Sequence, residues 1–244
     1  FYLLLLINIS ENKMALSRNI EIIREKIHKA AVKANRNPKD IKLLAVTKTR
    51  TIQAIEEALS YNIEFIGENK VQEAEDKIPT LIGKFNEFHF IGHLQSNKIN
   101  KLMKLKPTLI HSIDKFSTAN KLNNYLKQNS ITQNVLIEVN TSGEESKNGI
   151  TPKDTVEFIK AVSQLENVKI KGLMTISMFT HDEQIIRSSF KKLRELFTEI
   201  NTLEIPNTEM EFLSMGMTND FEIAIEEGAN IVRIGTAIFG ARNY

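Results

Sequence analysis

The stretch Ile41-Lys-Leu-Leu-Ala-Val-Thr-Lys-Thr49 decides the fold, because it is a mostly apolar run that ends abruptly in polar residues. Seven similar runs follow, separated by longer amphipathic segments. Continuously apolar runs of this length are typical of parallel strands that are covered on both faces. The eight predicted strands are 41–46, 63–67, 88–92, 109–113, 135–139, 168–176, 210–214 and 231–235.

Amphipathic segments with helical spacing lie before and between these runs. The first has Ile20, Ile23 and Ile27 on one face, with Ser17 as the predicted N-cap. Strands that alternate with helices favour a parallel sheet with right-handed crossovers. Eight repeats predict an α/β fold, a single (β/α)8 TIM-type barrel with an extra N-terminal helix; an open doubly wound sheet is the alternative. The predicted helices are 17–36, 51–61, 69–81, 95–105, 115–128, 152–164, 182–202 and 217–227.

A length of 244 residues suits one barrel domain. The apolar run at the start is too short to span a bilayer and lacks the flanks of a signal peptide. Met14 opens a conventional amphipathic segment. We therefore interpret residues 1–13 as an extension outside the domain and 14–244 as the barrel domain. A cropped secretion signal is the alternative.

The composition excludes several classes of function. Charge is nearly balanced, with 32 Lys and Arg against 30 Asp and Glu, so neither nucleic acid nor a membrane is an expected partner. Cysteine is absent, which excludes disulfides, thiolate chemistry and cysteine-ligated metals and fits a reducing compartment such as the cytoplasm. None of the five histidines has the spacing of a paired metal site, so no metal is expected. We expect His89 to pack near the barrel mouth and to hydrogen-bond a neighbour.

Barrel enzymes place their chemistry at the carboxyl ends of the strands. Lys48 follows the first predicted strand, where removal from water lowers the pKa of an amine. A neutral amine attacks an aldehyde to form a Schiff base. The alternative is a lysine that extends past the strand end into water.

An anion site is predicted in the loops after the last two strands, where barrels commonly bind phosphate. The first loop reads Ser214-Met-Gly216-Met217-Thr218, and Thr218 also opens a predicted helix. The second loop contains Gly235 and Thr236. Glycine allows close approach of the backbone, and the hydroxyls can donate to phosphate oxygens. A plain turn is the alternative for each glycine.

Arg233 interrupts the last apolar run. Period-two alternation places it on the same side as Ile231 and Gly235. Either it faces a ligand at the barrel mouth, or it forms an ion pair with Glu68 or Glu211.

Five segments resemble the pyridoxal phosphate homeostasis protein family (YggS/PROSC-like), in the same order and over nearly the whole chain. Because several motifs coincide at compatible spacing, the resemblance is specific. The segments are Leu44-Ala-Val-Thr-Lys-Thr49, Gly67-Glu-Asn-Lys-Val-Gln-Glu73, Phe88-His-Phe-Ile-Gly-His-Leu-Gln-Ser-Asn-Lys98, Leu213-Ser-Met-Gly-Met-Thr218 and Val232-Arg-Ile-Gly-Thr-Ala-Ile-Phe-Gly-Ala-Arg242.

The resemblance implies a fold like the N-terminal domain of alanine racemase. It also implies pyridoxal 5′-phosphate held as a Schiff base on Lys48, Arg233 beside the pyridine ring and Asn69 at the rim. The phosphate contacts that it implies are Ser214, Thr218, Gly235 and Thr236, and we predict Gly216 and Met217 as further cofactor-binding residues. Departures from the family pattern are threonine at positions 47 and 218, where serine is usual, and Lys70, where tyrosine is frequent.

The resemblance further implies a cofactor carrier that buffers and delivers pyridoxal phosphate to acceptor enzymes, and we expect a monomer with little turnover. Racemase chemistry needs a second base from an additional β-domain, and none follows the eighth predicted strand in this sequence. An arginine beside the ring nitrogen also weakens the ring as an electron sink. The alternatives are a racemase or lyase acting on a small amino acid, and a barrel that binds another phosphorylated metabolite.

Overall fold

A computed structural model describes residues 2–144 and 146–241, with side chains from residue 14 onward within those ranges. Eight parallel strands close into a barrel, each paired with its neighbour in chain order. The predicted TIM-type barrel is therefore confirmed, and the open sheet is wrong. The strands are β1 Lys42–Val46, β2 Phe65–Glu68, β3 Glu87–Phe90, β4 Leu109–Ile113, β5 Gln133–Glu138, β6 Val168–Met174, β7 Thr208–Ser214 and β8 Ile231–Ile234.

Nine α-helices occur among the described residues, one before the barrel and the others after its strands. No helix in this part of the chain is long and apolar enough to cross a bilayer. The helices are α1 Tyr2–Lys33, α2 Ile52–Ser60, α3 Val71–Leu81, α4 Ile99–Lys104, α5 Phe116–Gln128, α6 Thr155–Val162, α7 Glu183–Thr202, α8 Phe221–Glu226 and α9 Thr236–Phe239.

The first helix starts earlier and ends sooner than its sequence pattern predicts. It runs without a break through Ser17, so the predicted N-cap there is wrong. It ends at Lys33, and Asn35 adopts a left-handed φ of 54°, a backbone conformation typical of helix ends. The interpretation of residues 1–13 as an extension stays a prediction, because their side chains lie outside the described part.

Several boundaries at the carboxyl end of the barrel differ from prediction, and two of them bear on the site. The segment after β7 stays irregular until Phe221, so Thr218 does not open a helix, and Asp220 occupies the N-cap position. The third strand ends at Phe90, and the chain beyond it packs against the loop after β2. A Cβ on Gly92 would lie 1.9 Å from the carbonyl oxygen of Asn69, so only glycine fits this contact.

Alternating residues of each strand build two separate regions. On β3, Phe88 and Phe90 belong to the apolar layer between the strands and the helices. The other face of each strand points into the barrel. There a smaller apolar cluster is formed by Leu44, Leu109, Leu136, Met174 and Ile231.

The strands β7 and β8 form a sparse seam in the barrel wall. Their register has one residue pair, Ser214 with Ile231, whereas β8 pairs with β1 over four residues. The side chain of Asn230 supplements the seam: it accepts from the amide of Leu213 at 2.8 Å and donates to the carbonyl of Glu211 at 2.7 Å. Backbone hydrogen bonds also cross the seam, from the amide of Met215 to the carbonyl of Ile231 at 3.2 Å and from the amide of Arg233 to the carbonyl of Gly216 at 3.0 Å. The side chain of Asn230 therefore adds to a short ladder.

Candidate functional site

Lys48 lies in a turn directly after β1 and is partly buried. Val46 at the end of this strand is paired with Gly67, so the turn adjoins the loop that contains Asn69. On the other side, a Cβ on Gly235 would lie 3.4 Å from the carbonyl oxygen of Val46. The fold therefore places the turn of Lys48 between the loops after β2 and β8.

The residue before Lys48 is held by a buried ion pair. The ammonium of Lys77 on α3 donates to the carbonyl of Thr47 at 2.9 Å and to Glu68 Oε1 at 2.8 Å. The hydroxyl of Thr47 donates to the same carboxylate oxygen at 2.7 Å. Burial raises the pKa of Glu68, while Lys77 and Thr47 oppose that rise.

The residue after Lys48 is held by the same helix. The amide of Thr49 donates to Glu73 Oε2 at 2.7 Å, and Lys77 lies 3.0 Å from that oxygen. Thr49 adopts a left-handed φ of 62°, which costs energy for a β-branched residue. The backbone on both sides of Lys48 is thus fixed by α3, and this determines where its side chain starts.

The predicted phosphate loops lie beside each other. The hydroxyl of Thr218 accepts a hydrogen bond from the amide of Ala237 at 3.4 Å, which joins the loop after β7 to the start of α9. Gly216 has a φ of 91°, and a Cβ there would lie 2.5 Å from that of Ala224, so the loop requires glycine. Met217 and Thr236 are exposed, at the open end of the barrel.

Asn69 offers an unused polar atom at the rim. Its Oδ1 is buried and has no hydrogen-bond partner among the described residues. Buried polar atoms are paired in the great majority of cases, so an orphan of this kind is suited to a bound ligand. The amide can also present its nitrogen there, since the two orientations are nearly isosteric.

Arg233 is buried inside the barrel below this rim. It donates from Nη1 to Ser214 Oγ at 2.6 Å and from Nη2 to the carbonyl of Thr175 at 2.8 Å. Burial lowers its pKa to about 10, so the guanidinium stays charged at neutral pH. The alternative ion pairs are wrong, because Glu68 binds Lys77 and Glu211 lies beside Lys171.

Two histidines that were not predicted as site residues lie behind Ser214. Its hydroxyl is 2.9 Å from His111 Nδ1, and His111 Nε2 is 2.9 Å from His89 Nδ1. His89 does hydrogen-bond its neighbours, but it lies inside the barrel and contacts Glu87 rather than the rim. Inward alternation within β3 and β4 was a signal that could have found both.

Glu138 is a further residue that sequence reasoning missed. It ends β5 in inward register with Leu136 and is buried. Burial, reinforced by the nearby carboxylate of Asp114, raises its pKa to about 7, while the charge of Arg233 opposes that rise. A carboxyl group that titrates near neutrality can exchange protons at the mouth of the barrel.

The described geometry agrees with comparisons to known proteins. Residues 12–243 match the family model "Alanine racemase, N-terminal domain". A pyridoxal phosphate homeostasis protein of Aquifex aeolicus is 44% identical over 222 residues, which is 91% of this chain and 96% of that protein. Its counterpart from Haemophilus influenzae is 41% identical over 233 residues, 95% of this chain and 98% of that protein.

Solved structures agree in fold. An unknown protein from Bifidobacterium adolescentis has a TM-score of 0.90 and 37% identity, covering 94% of this chain and 96% of that one. PipY of Synechococcus elongatus, solved with PLP bound, has a TM-score of 0.79 and 28% identity, covering 92% of this chain and 100% of that one. An alanine racemase of Clostridium difficile, 16% identical with a TM-score of 0.69, shares the barrel across 94% of this chain and 56% of that one.

Proposed function

Because the chain belongs to the pyridoxal phosphate homeostasis proteins, within the alanine racemase N-terminal domain family, we propose that it binds pyridoxal 5′-phosphate as a Schiff base on Lys48. The observation that carries this proposal is the convergence at one end of the barrel of an amine, two adjoining loops and a buried cation. These are Lys48, the loops at 215–218 and 235–236, and Arg233.

Bound pyridoxal phosphate supplies an aldehyde for the lysine and a ring that can accept negative charge from an amino acid. Lys48 forms the covalent link, and α3 fixes the backbone on either side of it through Thr47 and Thr49.

The phosphate is held by the loops after β7 and β8. Gly216 and Gly235 let the backbone come close, and Thr218 and Thr236 supply hydroxyl donors. The amide of Met217 donates to Asp220 Oδ1 at 2.5 Å, so Met217 shapes the loop. Asn69 supplies its Oδ1 at the rim, where no described residue hydrogen-bonds it.

Ser214 contributes below the phosphate, through Arg233. Its hydroxyl has one hydrogen and contacts both His111 and Arg233, so it serves the guanidinium rather than the rim. Arg233 would face the pyridine ring with a guanidinium that keeps its own proton. A ring nitrogen beside it would stay unprotonated, so the ring would withdraw electrons weakly.

Weak electron withdrawal by the ring favours a role as a cofactor carrier over a role as a catalyst. We propose that the protein buffers pyridoxal phosphate and delivers it to acceptor enzymes, with little turnover of its own. Mixing the loaded protein with an apoenzyme, in the presence of an excess scavenger of free cofactor, tests delivery. Recovery of acceptor activity despite the scavenger is the expected result, and complete suppression would contradict delivery.

A racemase or lyase is the second candidate, and Glu138 favours it, because a carboxyl group with a pKa of about 7 can move a proton near the site. Solvent deuterium exchange at the α-carbon across a panel of small amino acids tests this. Sustained exchange that is lost in Glu138→Gln would replace the carrier proposal with the enzymatic one.

The Schiff base is tested with Lys48→Ala. We expect the wild-type protein mixed with pyridoxal phosphate to show a near-visible absorbance band, and borohydride reduction to fix one label on Lys48 in peptide maps. The variant should lose both and unfold at the same denaturant concentration, because Lys48 is a site residue. Lys70→Ala, an exposed lysine three positions before Glu73, is the matched control and should behave as wild type.

Two results would overturn the assignment. Wild-type protein that takes up no label would remove the cofactor from the proposal. A label that persists in Lys48→Ala at wild-type yield would move the covalent link to another amine.

A further inference from the structure

A column of polar side chains runs through the inside of the barrel. It starts at a partly exposed ion pair and ends at the buried guanidinium below the rim. In order, its members are Lys42, Glu87, His89, His111, Ser214 and Arg233. They come from five strands that are far apart in sequence, and each contacts the next within hydrogen-bonding distance.

The distances in the column are short throughout. Lys42 Nζ lies 2.6 Å from Glu87 Oε1, and Glu87 Oε2 lies 2.7 Å from His89 Nε2. The two imidazoles meet at 2.9 Å, and the second lies 2.9 Å from Ser214 Oγ. Arg233 Nη1 completes the column at 2.6 Å from the same hydroxyl.

The chemistry of Glu87 sets the proton positions at one end. A hydrogen bond from His89, helped by Lys42, holds the pKa of Glu87 at about 2, so this carboxylate only accepts. His89 Nε2 must therefore carry a hydrogen. Burial lowers the pKa of His89, which keeps the ring neutral and leaves Nδ1 as an acceptor.

The hydrogen positions on His111 follow from those on His89. Because His89 Nδ1 accepts, His111 Nε2 must donate to it. Burial, together with the charge of Arg233, holds the pKa of His111 well below its usual value, so this ring is also neutral and its Nδ1 accepts. The hydroxyl of Ser214 then donates to His111 and accepts from Arg233. In every hydrogen bond between Arg233 and Glu87, the donor is therefore the group nearer to Arg233.

The packing of the barrel does not require this polarity. The neighbouring interior positions Leu44, Leu109 and Met174 are filled by apolar side chains. Burying imidazoles and a hydroxyl costs free energy that their hydrogen bonds only offset. We therefore expect the column to have a function at its buried end, where the guanidinium of Arg233 lies.

We propose that His111, supported by His89, is a positioning residue that fixes the guanidinium of Arg233 against the ring of the bound cofactor. The inference rests on the proposed binding of pyridoxal phosphate. By taking the only hydrogen of Ser214, His111 turns the oxygen of that hydroxyl toward Arg233. With the carbonyl of Thr175 on Nη2, two acceptors then define the plane of the guanidinium.

Three substitutions of His111 separate positioning from packing. The amide of His111→Asn lies near the place of Nδ1 and keeps an acceptor for Ser214. His111→Gln reaches the place of Nε2 and keeps only the contact to His89. His111→Phe removes both.

We expect the absorbance maximum of the protein with bound pyridoxal phosphate to shift in His111→Gln and His111→Phe. In His111→Asn it should lie closer to the wild-type value. The dissociation constant of pyridoxal phosphate should rise roughly fivefold to tenfold in the first two, as expected for one lost hydrogen bond. His28→Asn, on the exposed face of α1, is the control and should change neither quantity.

A second measurement needs no cofactor. Nitrogen-15 NMR of the unliganded protein should show both rings neutral with the hydrogen on Nε2, and a scalar coupling across the bond between them. A charged ring, or a hydrogen on Nδ1 of either one, would overturn the hydrogen-bond order and with it the proposal, even if no variant folds.

The outcomes distinguish this inference from the function on which it rests. If wild-type protein fails to take up pyridoxal phosphate, both fall. If it takes up the cofactor, and the folded Gln and Phe variants keep the wild-type absorbance maximum and affinity, only the positioning role of His111 is overturned.

Discussion

The layer outside the barrel wall and the space inside it are built from the same strands but filled differently. On β3, Phe88 and Phe90 face the apolar outer layer, whereas Glu87 and His89 face inward and hydrogen-bond each other. The outer layer is stabilised by buried apolar area. Inside the barrel, polar side chains occupy part of the space, so less apolar area is buried there. We expect substitutions outside to change stability and substitutions inside to change the site.

The largest expected effect on stability lies in the outer layer. Phe190 on α7 is fully buried there, so Phe190→Ala should lower the free energy of unfolding by about 3 to 5 kcal/mol. Denaturant titration measures this. The affinity of the folded protein for pyridoxal phosphate should stay unchanged. Phe116→Ala, at an exposed position, is the control and should change stability by about 0.5 kcal/mol or less. If folded Phe190→Ala lost binding free energy for pyridoxal phosphate comparable to its loss of unfolding free energy, the two regions would not be separate.

The ion pair below Lys48 lies at the border of the two regions. In Lys77→Met the buried carboxylate of Glu68, whose side chain is 0% exposed, loses its cation. We expect a loss of about 3 kcal/mol by denaturant unfolding, because an unpaired buried charge is costly. Adding Glu68→Gln should restore at least half. If the double variant is as unstable as the single one, packing of the lysine rather than its charge is responsible.

A smaller, pH-dependent effect is expected inside the mouth. The pKa of Glu138 is raised from 4.5 to about 7, so between these values the folded protein binds more protons than the unfolded chain, and the free energy of unfolding falls as pH rises. Glu138→Gln should remove this slope and gain about 1 to 3 kcal/mol at pH 8. Unfolding curves at several pH values measure it; a wild-type slope that survives the substitution would assign it to another group.

The sequence predicted the barrel because every strand is a local signal. A run such as 109–113 is apolar enough to be recognised alone, and eight such runs in alternation with helices leave few topologies. Lys48 and the loop glycines were predicted as site residues in the same way, since each lies within two residues of the end of a strand.

The rest depends on contacts that local sequence does not encode. His89, His111 and Ser214 come from three strands, and their hydrogen bonds follow only once the barrel has closed. A carboxylate was one of the two alternatives predicted for Arg233, yet its partners are a hydroxyl and a backbone carbonyl. Inward alternation places a polar residue inside the barrel but does not determine which neighbour it meets.

The sparse pairing of β7 with β8 has a consequence for ligand-linked stability. The two loops proposed to hold the phosphate follow these two strands, so they stand on opposite sides of the seam that Asn230 bridges. A doubly charged phosphate bound by both loops would link β7 to β8 across this seam of the barrel wall. Ligand binding would then raise the free energy needed to separate the two strands, and the increase would grow with the logarithm of ligand concentration.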